Sequence, residues 1–188
     1  ESYAFLGCSS LTSVSFESGS QLETIGDGAF RSSGISGVIT LPASLTSIGY
    51  ESFKDCSSLN SVSFKSGSQL EKIGTDAFRS SDISGNIALP ASLKTLGQFA
   101  FRDCSRLKSV TLESGSLLTS VGAMVFYNTD VNRCLITPDA GGNIIIPAST
   151  TRIPPIAFYG CSSLMSVSFE SGSQLVTIAP AAFHSSGL

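Results

Sequence analysis

Chemistry beyond packing would have to come from five cysteines, one histidine and a run of evenly spaced bases. Cys8, Cys56, Cys104 and Cys161 each open the same short phrase, Cys-Ser-Ser-Leu or Cys-Ser-Arg-Leu, at intervals of 48, 48 and 57 residues. A column of thiols can bridge, hold a metal or attack an electrophile. A metal needs several ligands converging, and His184 is the only histidine. Catalysis needs a nucleophile, a base and an orienting acid within hydrogen-bond reach. The many serines instead recur at equivalent positions of a repeat, which is what a scaffold produces. Glycine pairs such as Gly141-Gly142 follow no phosphate-loop pattern. The chain is therefore expected not to be an enzyme and to use no catalytic residue, cofactor or metal.

A repeat positions all of these residues. Phe5, Phe30, Phe53, Phe78, Phe101, Phe126, Phe158 and Phe183 are separated by 25, 23, 25, 23, 25, 32 and 25 residues. The interval of 32 is a 23-residue coil carrying nine more, which places an inserted loop near residues 133–141. A fixed period in this range signals a solenoid. The longer coil reads Cys8-Ser-Ser-Leu11, Val14-Ser-Phe16, Glu17-Ser-Gly-Ser20, Leu22, Ile25-Gly26; the shorter reads Gly34-Ile35, Ile39-Thr-Leu41-Pro42, Leu45, Ile48-Gly49.

Within each coil a short stretch alternates apolar and polar residues, as a strand does. Val14 to Phe16, Ile39 to Leu41, Val62 to Phe64 and Ile87 to Leu89 are the expected principal strands, all parallel. Turn residues follow, and Leu22 and Ile25, or Leu45 and Ile48, return as a second inward pair. One coil cannot bury these faces alone; stacked coils bury them against the same residues above and below. Successive cysteines then lie two strand spacings apart, roughly 10 Å, beyond the roughly 7 Å between Cα atoms that a disulfide spans. Cys8, Cys56, Cys104 and Cys161 are expected to be reduced and inaccessible, packing as small hydrophobes. Cys134, in the inserted loop, is the candidate for an exposed thiol.

Two surface ladders remain. The outward strand residues are Ser13 and Ser15, Val38 and Thr40, Ser61 and Ser63, Asn86 and Ala88, Ser109 and Thr111, Asn143 and Ile145, Ser166 and Ser168. Such a small, uncharged face suits a solvated sheet, a shallow glycan or flat-surface contact, or lateral packing against another solenoid. The second ladder is the residue after each phenylalanine: Leu6, Arg31, Lys54, Arg79, Arg102, Tyr127, Tyr159 and His184. Four consecutive bases stacked at one strand spacing repel one another, with Asp55, Asp82 and Asp103 near enough to relieve them. This stripe either maintains solubility or meets an acidic partner, with Tyr127 and Tyr159 as aromatic anchors.

The run Leu41-Pro42, Leu45, Ile48-Gly49, Phe53, Cys56, Leu59, Val62 resembles the repeat of BspA-like leucine-rich-repeat surface proteins, over essentially the whole chain outside the inserted loop. The resemblance implies an all-β, right-handed leucine-rich-repeat solenoid with a parallel sheet, short turns and little helix. It also implies an extracellular or cell-surface location and a role in adhesion or interaction with a protein or glycan. Two departures stand out: Glu-Ser-Gly-Ser replaces an expected Pro after the longer-coil strand, widening that loop by two residues, and alternate coils hold Ser33, Ser81, Thr129 or Ser186 at the Cys position.

Composition narrows the partners. Of 188 residues 13% are charged, with a net charge of −3, so there is no electrostatic footprint for nucleic acid. No run approaches the length of a membrane span, and Glu1-Ser2-Tyr3 lacks the basic start of a signal peptide. Residues 1–188 read as one solenoid segment that opens and stops inside coils, with no polar cap at either end. The expectation is a piece of a longer array; the competing one is a filament of chains stacked end to end on further copies of themselves.

Overall fold

The computed structural model describes residues 1–113, 115–131, 138–153, 157–158, 160–179, 182–183 and 186–188. They form two compact units, Glu1–Val131 and Asn132–Leu188, each a stack of parallel-strand coils, and among the described residues there is no helix.

In the first unit the strands are β1 (Thr24–Ile25), β2 (Gly37–Leu41), β3 (Ser47–Ile48), β4 (Leu59–Phe64), β5 (Lys72–Ile73), β6 (Gly85–Leu89), β7 (Thr95–Leu96), β8 (Leu107–Leu112) and β9 (Ser120–Val121). The two-residue strands build one continuous parallel sheet in the order β1-β3-β5-β7-β9. The longer strands pair only two by two, β2 with β4 and β6 with β8. A longer-coil strand thus pairs with the shorter coil before it. Toward the next shorter coil single bonds such as Ser36 N–H to the Thr12 carbonyl take the place of a ladder. For that reason Val14 to Phe16, expected as a strand, is extended chain without one.

The two extra residues of a longer coil sit in its edge loop. Leu41 lies opposite Phe64, and the next bond across the edge runs from Gln69 N–H to the Ala43 carbonyl, so Lys65 to Ser68 bulge past Pro42 and Ala43. Asn60 is a further unpaired residue in β4, where the register shifts between Gly37 and Val38.

The core is a set of columns. Ile39, Leu41, Leu45, Ile48, Phe53, Leu59, Leu70, Ile73, Phe78, Ile83, Ile87, Leu89, Leu93 and Phe101 are all at most 1% exposed. Rings of Phe5, Phe30, Phe53, Phe78, Phe101 and Phe126 stack nearly parallel, with centroids 5.1 to 5.9 Å apart. Before four of these phenylalanines comes a buried small residue, Ala29, Ser52, Ala77 or Ala100. Ser52 Oγ is the anomaly, buried with no hydrogen-bond partner. An unsatisfied buried hydroxyl costs about 1–3 kcal/mol. Ser52→Ala is therefore expected to stabilise the protein by about 1 kcal/mol, read as a higher urea midpoint at unchanged slope; a lower midpoint would contradict the assignment.

In the second unit β10 (Asn143–Ile146), β11 (Arg152–Ile153), β12 (Ser166–Phe169) and β13 (Thr177–Ile178) pair in parallel, β10 with β12 and β11 with β13. Ile144, Ile146, Ile153, Phe158, Cys161 and Leu164 form its core, and Phe158 stacks on Phe183 at 4.8 Å.

Candidate binding corner

The turn around each phenylalanine positions the side chains that could meet a partner. Residues two before and two after it take left-handed backbone: Glu51, Asp76, Phe99 and Met124 on one side, Ser32, Asp55, Ser80, Asp103 and Asn128 on the other, with φ between +50° and +61°. For a residue with a Cβ this costs roughly 1–2 kcal/mol. The alternation turns successive N–H groups to one side, the arrangement called a nest. Glu51, Phe53 and Asp55 accordingly donate to the carbonyls of Thr75, Ala77 and Arg79 in the next coil, at 3.0, 2.7 and 2.9 Å. Stacking thus supplies the hydrogen bonds that hold the strained turns.

Residues directly after the phenylalanines form an outward column between these two. Arg31, Lys54, Arg79 and Arg102 are each half-buried and Tyr127 is exposed; Tyr159 and His184 lie outside the described residues. The column's self-repulsion is met mainly from a side not anticipated in the sequence, the left-handed residue three positions earlier. Glu51 receives Lys54 Nζ at 2.6 Å and Arg31 from the preceding coil at 2.5 Å, and Asp76 lies 3.3 Å from Arg79. Asp103 lies 3.6 Å from Arg79 and 3.3 Å from Arg102. Asp82 pairs instead with Arg106, at 2.7 Å, and among the described residues Asp55 makes no ion pair. Burial pushes the Glu51 carboxyl up, but hydrogen bonds from Lys54 and Tyr50 and the charges of Lys54 and Arg31 outweigh it, so its pKa falls below the ordinary value.

In the Arg102 coil the acid is replaced by Phe99. Its ring and that of Tyr127 each lie 5.1 Å from the Arg102 guanidinium carbon, within cation–π range. The Glu51–Lys54 and Asp76–Arg79 spacings were legible as acid and base three apart. Phe99 carried no such signal.

On the sheet face Ser13, Ser15, Val38, Thr40, Asn86, Ala88, Thr111, Asn143, Ile145, Ser166 and Ser168 are exposed, while Ser61, Ser63 and Ser109 are half-buried. Part of its hydrogen-bonding capacity is used internally, Thr40 with Ser63 at 2.9 Å and Ser166 donating to Asn143 Oδ1 at 2.6 Å. A shallow groove of about 470 Å³, which the sequence did not suggest, follows Gly26, Gly49 and Gly74 between Thr24, Ser47 and Lys72 on one side and Asp27, Tyr50 and Thr75 on the other.

The cysteines divide. Cys56 and Cys104 are free and buried, each donating its S–H to a carbonyl of an earlier coil, Phe30 or Phe78, at 3.1 Å. Ser33 and Ser81, the serines at the Cys position of the alternate coils, stand 3.5 Å from the sulfurs. Burial pushes the Cys56 thiol up and that of Cys104 up to about 11. Two expectations fail. Cys8 is exposed, and Leu11, Val14 and Phe16 of its coil are likewise only half-buried. Cys161 is disulfide-bonded rather than reduced; the argument from ladder spacing excluded only pairing within the column, and Cys8, Cys56 and Cys104 are indeed free. Cys134 lies outside the described residues. In native protein a maleimide is expected to modify Cys8 promptly and Cys56 and Cys104 only after unfolding; prompt native labelling of Cys104, followed by peptide mass, would refute its burial.

Among the described residues no group of three His, Cys, Asp or Glu side chains gathers to hold a metal, and no helix is long and apolar enough to cross a membrane.

No curated protein matches the chain. Among solved structures, the pneumococcal vaccine antigen PcpA is 31% identical with a TM-score of 0.52, the match covering 90% of this chain and 42% of that one. This chain therefore spans less than half the length of PcpA. A leucine-rich-repeat protein of T. pallidum is 22% identical with a TM-score of 0.54, covering 88% of this chain and 70% of its own, and supports the fold alone. A family model described as BspA type leucine rich repeat region matches in six copies over residues 1–84, 23–140 and 140–188. The chain therefore belongs to the BspA-type leucine-rich-repeat proteins.

Proposed function

We propose that this chain is a surface-exposed interaction module that binds a partner through its corner column, and that it does so without catalysis. The observation carrying this reading is the band of outward side chains Arg31, Lys54, Arg79, Arg102 and Tyr127, held at successive coils by strained turns that stacking makes rigid. A preorganised array loses little entropy on binding. By contrast the sheet face offers small hydroxyls, whereas protein hot spots are rich in Tyr, Trp and Arg. An extracellular or cell-surface location is supported by the disulfide at Cys161, since such bonds persist in oxidising compartments, and by the description of PcpA as a vaccine antigen.

The test is an array of immobilised proteins and glycans probed with the labelled monomeric chain at two salt concentrations. Retention on discrete spots, weakened by salt because exposed charges are screened over roughly 8 Å at physiological ionic strength, is the expected result. No retention on any spot, together with light scattering that grows with chain concentration, would overturn it in favour of the filament.

A further inference from the structure

We propose that Arg102, in cation–π contact with Phe99 and Tyr127, is the anchor that grips a carboxylate of a partner protein, within an acidic segment whose neighbouring side chain is aliphatic or aromatic. This rests on the corner reading above and names the point at which the partner engages. Arg31 and Lys54 both bond Glu51, a buried carboxylate they neutralise. Arg102 is different. Its Nε, like that of Arg79, is buried with no aligned hydrogen bond, although Asp103 Oδ2 lies 3.3 Å away; but Arg79 also bonds Asp76 through Nη1. Among the described residues no hydrogen bond engages the two terminal amino groups of Arg102. The Phe99 and Tyr127 rings, each 5.1 Å from the guanidinium carbon, hold it in place by cation–π contact, and the side chain keeps part of its surface exposed. Two parallel N–H donors in a fixed plane match a carboxylate.

The surroundings point the same way. Phe99 sits at φ +58°, where a bulky side chain is an outlier and glycine, as at Gly28, carries no Cβ penalty. Such strain persists at ligand clamps and active sites more than elsewhere. The next residue of its column, Met124, is 59% exposed, and Tyr127 is 52% exposed. Arginine, tyrosine and methionine together are the residues enriched in protein interfaces, and the two apolar surfaces beside the fork call for an apolar side chain next to the acid.

The experiment pans a random dodecapeptide phage library on the full chain and measures synthetic copies of the enriched peptides. Expected are Asp or Glu beside an aliphatic or aromatic residue. Affinity should fall about tenfold or more on Arg102→Lys, which keeps the charge but loses the planar fork. The same loss is expected on Phe99→Gly, which relieves the turn while removing one of the two ring contacts. Lys94→Gln, whose ammonium pairs with the exposed Glu71 at 2.7 Å and is not part of the corner column, should leave affinity within about twofold, as an energetically neutral contact would. Enrichment without acids, Arg102→Lys within about twofold of the parent, or a heparin oligosaccharide held through Arg102 where no acidic peptide is, would each overturn the proposal. Loss on Lys54→Gln with Arg102→Lys unaffected would overturn it while leaving the corner reading in place.

Discussion

Phe78→Ala is expected to destabilise the first unit by about 4 kcal/mol, the range for truncating a fully buried aromatic. Phe78 has no exposed surface, and its ring lies 5.2 Å from both Phe53 and Phe101. The cavity is bounded by backbone bonded coil to coil, Phe53 N–H to the Ala77 carbonyl and Phe78 N–H to that of Ala100, so collapse around it is restricted. Stacked pairs add about 0.5–1.5 kcal/mol each beyond burial, and this change removes two. Because each coil contacts only its neighbours, a break in mid-array should also uncouple the coils on either side. Urea denaturation should therefore show a lower midpoint and a broader transition. A loss under about 1 kcal/mol would mean that the phenylalanine column is not the spine of the fold.

Gly74→Ala is expected to cost about 3 kcal/mol, the upper end for overpacking. The column Gly26, Gly49, Gly74, Gly97 and Gly122 lies where successive coils approach closely. A Cβ on Gly74 would stand 2.7 Å from the carbonyl carbon and oxygen of Gly49 and 2.9 Å from Tyr50 N. All of these are backbone, so no rotamer change relieves the clash and the coils must part. Hydrogen exchange should show β3, β5 and β7 opening first, while the β2–β4 pair on another face holds longer. Unchanged protection in β5 would contradict the close approach.

Fold and site differed in how far the sequence revealed them. The phenylalanine period, the alternation in Ile39-Thr-Leu41 and the Ile-Gly corners were legible because every coil repeats them and stacking needs each at the same place. The expected two-residue widening of the longer-coil loop is present at Lys65 to Ser68. Pairing of strands by twos was not legible, since it depends on which coil lies on each side rather than on the strand's own residues. Burial of Cys56 and Cys104 followed from spacing, but the disulfide at Cys161 did not, because spacing along the column speaks only to pairing within it.

The corner was half visible. Its bases stood out as a same-sign run, and Arg31, Lys54, Arg79 and Arg102 do share one edge. Left-handed backbone at Glu51, Asp76 and Phe99 has no composition signature when non-glycine residues supply it, so the side chains it aims at the bases were missed. Asp55, expected to relieve the bases, makes no ion pair among the described residues, whereas Asp103 does through Arg79 and Arg102.

The claim that the corner column, rather than the serine face, carries binding is tested most directly by one comparison on the proteins and glycans that retain the parent chain. Affinity is measured for the double change Arg79→Ser and Arg102→Ser beside Ser61→Glu and Ser63→Glu, with each variant's fold checked by circular dichroism. The double change should weaken binding about tenfold or more and flatten its salt dependence, while the serine-face variants bind as the parent does. Unchanged affinity in the double variant, with Ser61→Glu or Ser63→Glu abolishing retention, would contradict the account.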